Sequence, residues 1–207
     1  CLLRGGVTVR DLLGTRALSP GDWTLNGLEW AHQDNVGYIL PGAPAARLTN
    51  QAQSNTWNYI NDLYPAGEID TRSVFSLWLE HGAAVSNAGY HYIVAPGKTS
   101  EQMASYVAAP PVSVRSNTAS LQAVEHAGLG ILQAAFYSPG SVSGAEALTV
   151  TSDKACLLML RRIGAQYELV ASNPNNQPLA VNVDVNRSLT GPGATWLAAS
   201  LVTRIAL

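Results

Sequence analysis

Four histidines stand next to groups with which they could share a proton or a metal ion. His32 lies two residues before Asp34, His81 follows Glu80, His91 is flanked by Tyr90 and Tyr92, and His126 follows Glu125. A metal centre needs three or four donors converging on one point, whereas these are scattered pairs. None has the i, i+4 placement of a zinc-binding helix. Proton transfer is the other chemistry open to them, because His and Tyr serve as base and acid when they share a pocket. Glu80–His81 with Tyr90–His91–Tyr92 is the best candidate set. In a strand, Tyr90 and Tyr92 would share one face and His91 would take the other. The competing reading makes the tyrosines core fillers with bonded hydroxyls and puts the histidines in hydrogen-bonded loops. No Ser/His/Asp order, phosphate-cradling glycine loop or Cys/His nucleophile pair is present.

The tryptophans raise a different chemistry, stacking of an indole on the apolar side of a sugar ring. Trp23, Trp30, Trp57 and Trp78 are the candidates. Trp78, inside Phe75-Ser-Leu-Trp-Leu79, reads as core. Trp57, among Asn55, Asn58 and Asn61, is the candidate substrate-binding platform. Gly37, Gly82 and Gly89 read as turns or bulges beside strands.

The elements that must position these residues are short apolar or alternating segments bounded by Gly, Pro, Asn or Ser. Val181, Val183 and Val185 alternate with Asn182, Asp184 and Asn186, as a strand with one buried face requires. Further strands are expected at Thr71–Glu80, Tyr90–Ala95, Gly130–Tyr137, Ala155–Ile163, Gln166–Ala171 and Trp196–Ile205. Turn signals separate them at Pro139-Gly140, Ser172–Asn176 and Gly191–Gly193. One helix is expected over Thr99–Val107, capped by Thr99 or Ser100 and stopped by Pro110-Pro111. A turn of helix is a weaker expectation within Leu48–Leu63. The fold class is therefore all-β. Pro110-Pro111 also marks the domain boundary, since four of the five Trp precede it and the strands after it are aliphatic.

With 207 residues the chain is long enough to bury a sizeable core. Charged residues make up 13%, against roughly a quarter in an ordinary soluble domain. The net charge is −2 without a basic run, which removes the electrostatic footprint of a nucleic-acid binder. No apolar stretch approaches the roughly twenty residues of a membrane-spanning helix. A polyanionic ligand would need a local basic patch, and no cluster of Lys or Arg supplies one here. The two cysteines allow one bridge at most. Cys156, in Ala155-Cys-Leu-Leu-Met-Leu160, is expected to be a buried free thiol. Cys1-Leu-Leu-Arg-Gly-Gly-Val-Thr-Val9 reads like the inside of a strand region, so Cys1 is expected to begin a fragment or a processed chain.

Trp30-Ala-His-Gln-Asp-Asn-Val-Gly-Tyr38 looks like an aromatic-x-His-x-Asp-x-(Val/Ile)-Gly-Tyr strand. Trp57-Asn-Tyr-Ile-Asn61 is similar to a W-x-x-I-N segment, and Phe75–Gly82 to an F-x-L-x-x-x-H-G strand. Asn87–Pro96 resembles an N-A-x-Y-x-Y-x-x-x-P strand, while Asn117 and Gln122-Ala-Val124 fit the start of a terminal sandwich. Together, in this order, the blocks resemble the carboxy-terminal half of polysaccharide lyase family 8. These are secreted bacterial lyases that cut hyaluronan, chondroitin or xanthan. The likeness thins after about Phe136.

The resemblance implies that residues 1–112 are part of a central β-supersandwich and 113–207 a small carboxy-terminal antiparallel β-sandwich. In that family the catalytic Asn, His, Tyr and Arg sit in an amino-terminal α-toroid, and a Glu comes from the early central sheets. No motif here matches them, so no catalytic residue is carried over, and His32 and His81 match only as sheet framework. Elimination needs a base, a proton donor and a group that quiets the uronate carboxylate, and this region offers no clustered Arg or Asn for the last. The implied role is scaffold and cleft wall for an acidic polysaccharide. The implied partner is the missing toroid portion of the same secreted protein, with no metal or organic cofactor. Two readings compete with it: a non-catalytic carbohydrate-binding β-sandwich, and a structural β-module whose open sheet edge pairs with another chain.

Overall fold

Val7, Val9 and Asp11 are buried, Thr8 is half-buried and Arg10 looks outward. This is the period-two signature of a strand with one covered face. The same rhythm builds most of the molecule, a computed structural model that describes residues 1–175, 177–178 and 180–207. The chain divides into two units, Cys1–Ala109 and Pro110–Leu207.

The first unit contains β1 (Val7–Asp11), β2 (Gly14–Leu18), β3 (Asp22–Leu25), β4 (Trp30–Gln33), β5 (Val36–Ile39), β6 (Ala46–Thr56), β7 (Ile69–Trp78) and β8 (Ile93–Pro96). A single helix, α1 (Ser100–Ala108), follows. The strands form two antiparallel sheets, ordered β2-β1-β4-β5-β8 and β3-β6-β7. Val7, Val9 and Ala31 of the first sheet and Leu25, Leu48 and Phe75 of the second share one buried cluster, so the sheets face each other across it. α1 covers the other side of β4 and β5, where Met103 packs with Trp30, Ile39 and Ala95. Coverage on both faces explains why Trp30, Ala31 and Gln33 are all buried in a four-residue strand.

Two details of this unit explain sequence features. Gln33 and Val36 pair across a two-residue turn whose Asp34 and Asn35 take φ 51° and 58°. Such a turn needs residues that tolerate the left-handed region, which Asp and Asn do better than most. Gly37 is bare because Met103 occupies the place its side chain would fill. α1 begins as expected at Thr99, whose amide donates to Gln102 Oε1 at 3.0 Å. The Leu48–Leu63 segment holds the expected turn of helix, but only briefly. β6 runs unbroken to Thr56, and only Trp57–Tyr59 forms a single 3-10 turn.

The second unit holds β9 (Val112–Asn117), β10 (Leu121–His126), β11 (Ile131–Phe136), β12 (Gly140–Ser143), β13 (Thr149–Ser152), β14 (Cys156–Ile163), β15 (Gln166–Ser172), β16 (Asn182–Val185), β17 (Ala194–Leu197) and β18 (Val202–Ala206). The antiparallel sheets β15-β14-β11-β10-β9 and β12-β13-β16-β18-β17 enclose Leu132, Leu158, Leu160, Val150, Val183 and Val185. Cys156 lies in this core as a free thiol. The strand expected at Trp196–Ile205 is instead the hairpin β17–β18. Its turn hides in the sequence because Leu201, not a Gly or Asn, takes the left-handed φ of 54°. The turn signal at Ser172–Asn176 ends on Asn176, outside the described residues; before it, the Asn175 amide donates to Asn173 Oδ1 at 3.1 Å. Among the described residues no helix is long and apolar enough to cross a membrane.

Candidate functional site

β7 sets the geometry of a groove in the first unit. Phe75 and Leu77 point into the core, so Val74, Ser76 and Trp78, one residue out of phase, point away from it. Trp78 is therefore 43% exposed rather than core, contrary to the reading of its apolar surroundings. The groove has a volume of about 700 Å³ and runs along Phe75–Leu79. Tyr38 and Leu40 form part of its wall, and His81, Tyr90 and Tyr92 line its outer part. The His81 and Tyr90 rings stand 5.8 Å apart between centroids.

The structure thus brings together three members of the expected proton-transfer set, His81, Tyr90 and Tyr92. It does so by a different route from strand alternation, because β8 begins only at Ile93 and residues 90–92 precede it. Nor are the tyrosines core fillers, for both remain about 60% exposed. His91 is absent from the groove lining, and Glu80 turns to Arg47 at 3.2 Å. The lining carries no Lys, Arg, Asn or Gln side chain that could neutralise a uronate carboxylate. Imidazole and phenols without that partner lack the group on which the elimination barrier chiefly depends. What the lining offers is an aromatic and aliphatic wall.

The other histidines are structural. His32 Nε2 meets the Lys98 carbonyl at 2.8 Å, tying β4 to the loop ahead of α1. His126 Nδ1 accepts the Leu129 amide at 3.2 Å and so caps a 3-10 turn. Among the described residues, no three His, Cys, Asp or Glu side chains gather in a way that could hold a metal ion.

A second candidate surface lies where β6 and β7 meet. β3 pairs with β6 only over Ala46–Thr49, so the outer part of the ribbon is polar on both faces and carries an aromatic tip. Trp57 is 51% exposed there, with Tyr64 tilted against it at 6.1 Å. Its indole N–H donates to Asp70 Oδ2 at 3.3 Å, and Asp70 pairs with Arg72. The asparagines that drew attention to Trp57 build the loop. Asn58 donates to the Tyr64 carbonyl at 2.8 Å and Asn61 accepts the Leu63 amide at 3.0 Å. Tyr59 and Tyr64 extend the exposed aromatic surface and went unnoticed in the sequence. The signal was there: aromatic residues recur through Trp57–Tyr64 with no apolar period that would bury them. Of the other tryptophans, Trp30 is buried, and Trp23 donates to Asn50 Oδ1 at 3.2 Å from a half-buried position.

Comparison with known proteins places these surfaces in context. Residues 1–107 match the super-sandwich domain of polysaccharide lyase family 8, and residues 113–182 match that family's C-terminal beta-sandwich domain. The chain is 33% identical over 166 residues to chondroitinase-AC of Pedobacter heparinus, covering 80% of this chain and 23% of that protein. It is 31% identical over 186 residues to a hyaluronate lyase of Thermasporomyces composti, covering 88% and 23%. The solved structure of Paenibacillus xanthan lyase superposes with a TM-score of 0.82 at 27% identity, over 96% of this chain and 20% of that one. The chain therefore spans about a quarter or less of the length of the relatives it matches.

Proposed function

Because the chain belongs to polysaccharide lyase family 8, we propose that it is the carboxy-terminal portion of an exported lyase acting on a uronate-containing polysaccharide. The reaction is β-elimination. A base takes the proton next to the uronate carboxylate, the glycosidic C–O bond breaks, the departing oxygen is protonated, and a carbon–carbon double bond remains. Within that reaction these residues act as scaffold and as one wall of the cleft. The observation that carries this assignment is the groove lining, which presents aromatic faces and two kinds of proton carrier but no group to quiet the carboxylate. Trp57, exposed at the ribbon tip, is the proposed sugar platform. Chondroitin, hyaluronan and xanthan are the substrates to try, since the relatives are named for them.

The test is incubation of each polymer with this chain, with the rest of the protein, and with both, following the ultraviolet absorbance of the unsaturated product. Absorbance is expected only when both parts are present. Product formed by these 207 residues alone, or none from the complete protein on any uronate polymer, would refute the assignment. A second reading, carbohydrate binding without catalysis, is favoured by the exposed Trp57–Tyr64 pair. It predicts that this chain alone is retarded in a polysaccharide-containing gel and that Trp57→Ala abolishes the retardation.

A further inference from the structure

We infer that the tip of the β6–β7 ribbon is a subsite for an uncharged sugar unit of the polymer, and that Asp70 sets this preference by holding both Trp57 and Arg72. The inference rests on the reading of Trp57 as a sugar platform and adds what that platform selects. Asn55 pairs with Asp70, and Gln53 with Arg72, across the ribbon, so these four side chains share one face. Ser54 and Thr71 share the other face, where their hydroxyls bond each other at 2.7 Å. Trp57 comes back to the first face, because its indole N–H donates to Asp70 Oδ2 at 3.3 Å. The same carboxylate takes the Arg72 Nε–H, 2.9 Å from Oδ1 and 3.1 Å from Oδ2. One side chain thus fixes the stacking ring and the guanidinium relative to each other.

The polar groups left over suit hydroxyls and amides. Asn55 Oδ1 accepts the Thr56 amide at 2.8 Å, which leaves its Nδ2 to donate outward. Among the described residues, the Gln53 side chain and the Arg72 Nη groups have no bonded partner. An aromatic face for the apolar side of a ring, with polar groups beside it for the ring's edge, is the composition of a sugar subsite. Charge decides which unit it takes. Asp70 and Arg72 neutralise each other, Asp62 and Glu68 lie in the same hairpin, and no other Lys or Arg occurs between Trp57 and Glu80. A carboxylate placed here meets a field of its own sign, answered only by a guanidinium that is already paired. An uncharged unit meets the same donors and acceptors without that repulsion. In a polymer that alternates acidic with uncharged units, holding the uncharged one at Trp57 fixes the register in which the acidic ones fall.

The experiment follows the indole N–H resonance of Trp57 in this chain, assigned by its loss in Trp57→Phe, during titration with two trimers of equal length. Chitotriose supplies uncharged N-acetylated units, and trigalacturonate supplies acidic ones. Half-saturation is expected at a roughly fivefold lower concentration of chitotriose. Asp70→Asn keeps an oxygen for the indole N–H but frees the Arg72 charge, so it should erase or reverse that preference. Asp70→Asn that weakens both trimers alike, as a merely structural role would, overturns the inference. Trigalacturonate binding as tightly as chitotriose, or more tightly, also overturns it while leaving the platform in place. A resonance that neither trimer moves would sink the platform as well. The expected preference, found together with a complete protein that eliminates no uronate polymer, would sink the lyase reading and leave the subsite standing.

Discussion

Truncating Trp57 isolates the stacking contact proposed between this chain and a sugar. The side chain is 51% exposed, so of the roughly 250 Å² a tryptophan can bury about 125 Å² is open. A pyranose stacks on one face and covers about half of that. At roughly 25 cal/mol per Å² the contact contributes ~1.5 kcal/mol, a tenfold effect on affinity. In the complete enzyme Trp57→Ala should therefore raise KM about tenfold with kcat unchanged, the signature of lost uniform binding. Trp57→Phe, which keeps a ring, should recover part of the loss. The fold should tolerate both changes, because the indole makes only a 3.3 Å bond to Asp70 and a tilted contact with Tyr64. The charges at the tip sharpen the test. The stretch Trp57–Arg72 carries Asp62, Glu68 and Asp70 but one basic residue, Arg72, which pairs with Asp70, so a polyanion is repelled while its sugar face is attracted. Added salt should then strengthen the tip contact by screening the repulsion. Steady-state kinetics on chondroitin at several ionic strengths measures both effects. An unchanged KM in a folded Trp57→Ala variant would remove the platform from the proposal.

Three further outcomes follow from the packing. Gly37→Ala puts a methyl group 2.5 Å from Met103 Cε, within a side chain that is wholly buried. Urea denaturation should show a loss of ~1–3 kcal/mol, and Met103→Ala should cost less in the Gly37→Ala background than in the wild type, because the two changes share one space. Gly193→Ala combines a left-handed φ of 69° with a Cβ 2.6 Å from the Ala206 carbonyl oxygen. It should destabilise the second unit by more than ~1 kcal/mol, read from the amide exchange of β17 and β18. Burial pushes the Asp11 carboxyl up, but the Arg16 guanidinium and the Leu13 amide that donate to it outweigh this and hold it below the usual carboxylate range. A carboxyl lowered by folding stabilises the fold above the unfolded value of about 4. That contribution disappears as pH falls through the lower folded value. The difference in urea midpoint between wild type and Asp11→Asn should accordingly be largest near neutrality and vanish in strong acid.

The sequence was most legible where one principle acted alone. Val181, Val183 and Val185 alternate because one face is covered, and all three are buried. Thr99 begins α1 because a β-branched hydroxyl residue before Ser-Glu-Gln is a helix start. Legibility failed where two signals competed. The apolar neighbours of Trp78 argue for the core, yet its phase relative to Phe75 and Leu77 turns it outward. At β4 the period vanished because α1 buries one face and the opposing sheet the other, which no single stretch of sequence reveals. Tyr90 and Tyr92 reach His81 through a loop, and loop geometry has no period to read.

The resemblance blocks also show how packing alone can write a strong family pattern. In Trp30–Tyr38 each recognisable position answers a demand of the fold. Trp30 fills the space under α1, His32 holds the Lys98 carbonyl, Asp34 and Asn35 turn the chain with positive φ, and Gly37 leaves room for Met103. None of these demands involves a substrate, and each would recur in any chain that kept this hairpin and helix. Only the Phe75–Gly82 and Asn87–Pro96 blocks reach a surface where something else can sit. There the exposed positions, Trp78, His81, Tyr90 and Tyr92, stand along the groove beside β7. A sugar site needs convergent polar side chains for orientation, and this lining supplies aromatic faces with an imidazole and phenols but no Lys, Arg, Asn or Gln, which is the composition of a wall rather than of a complete site.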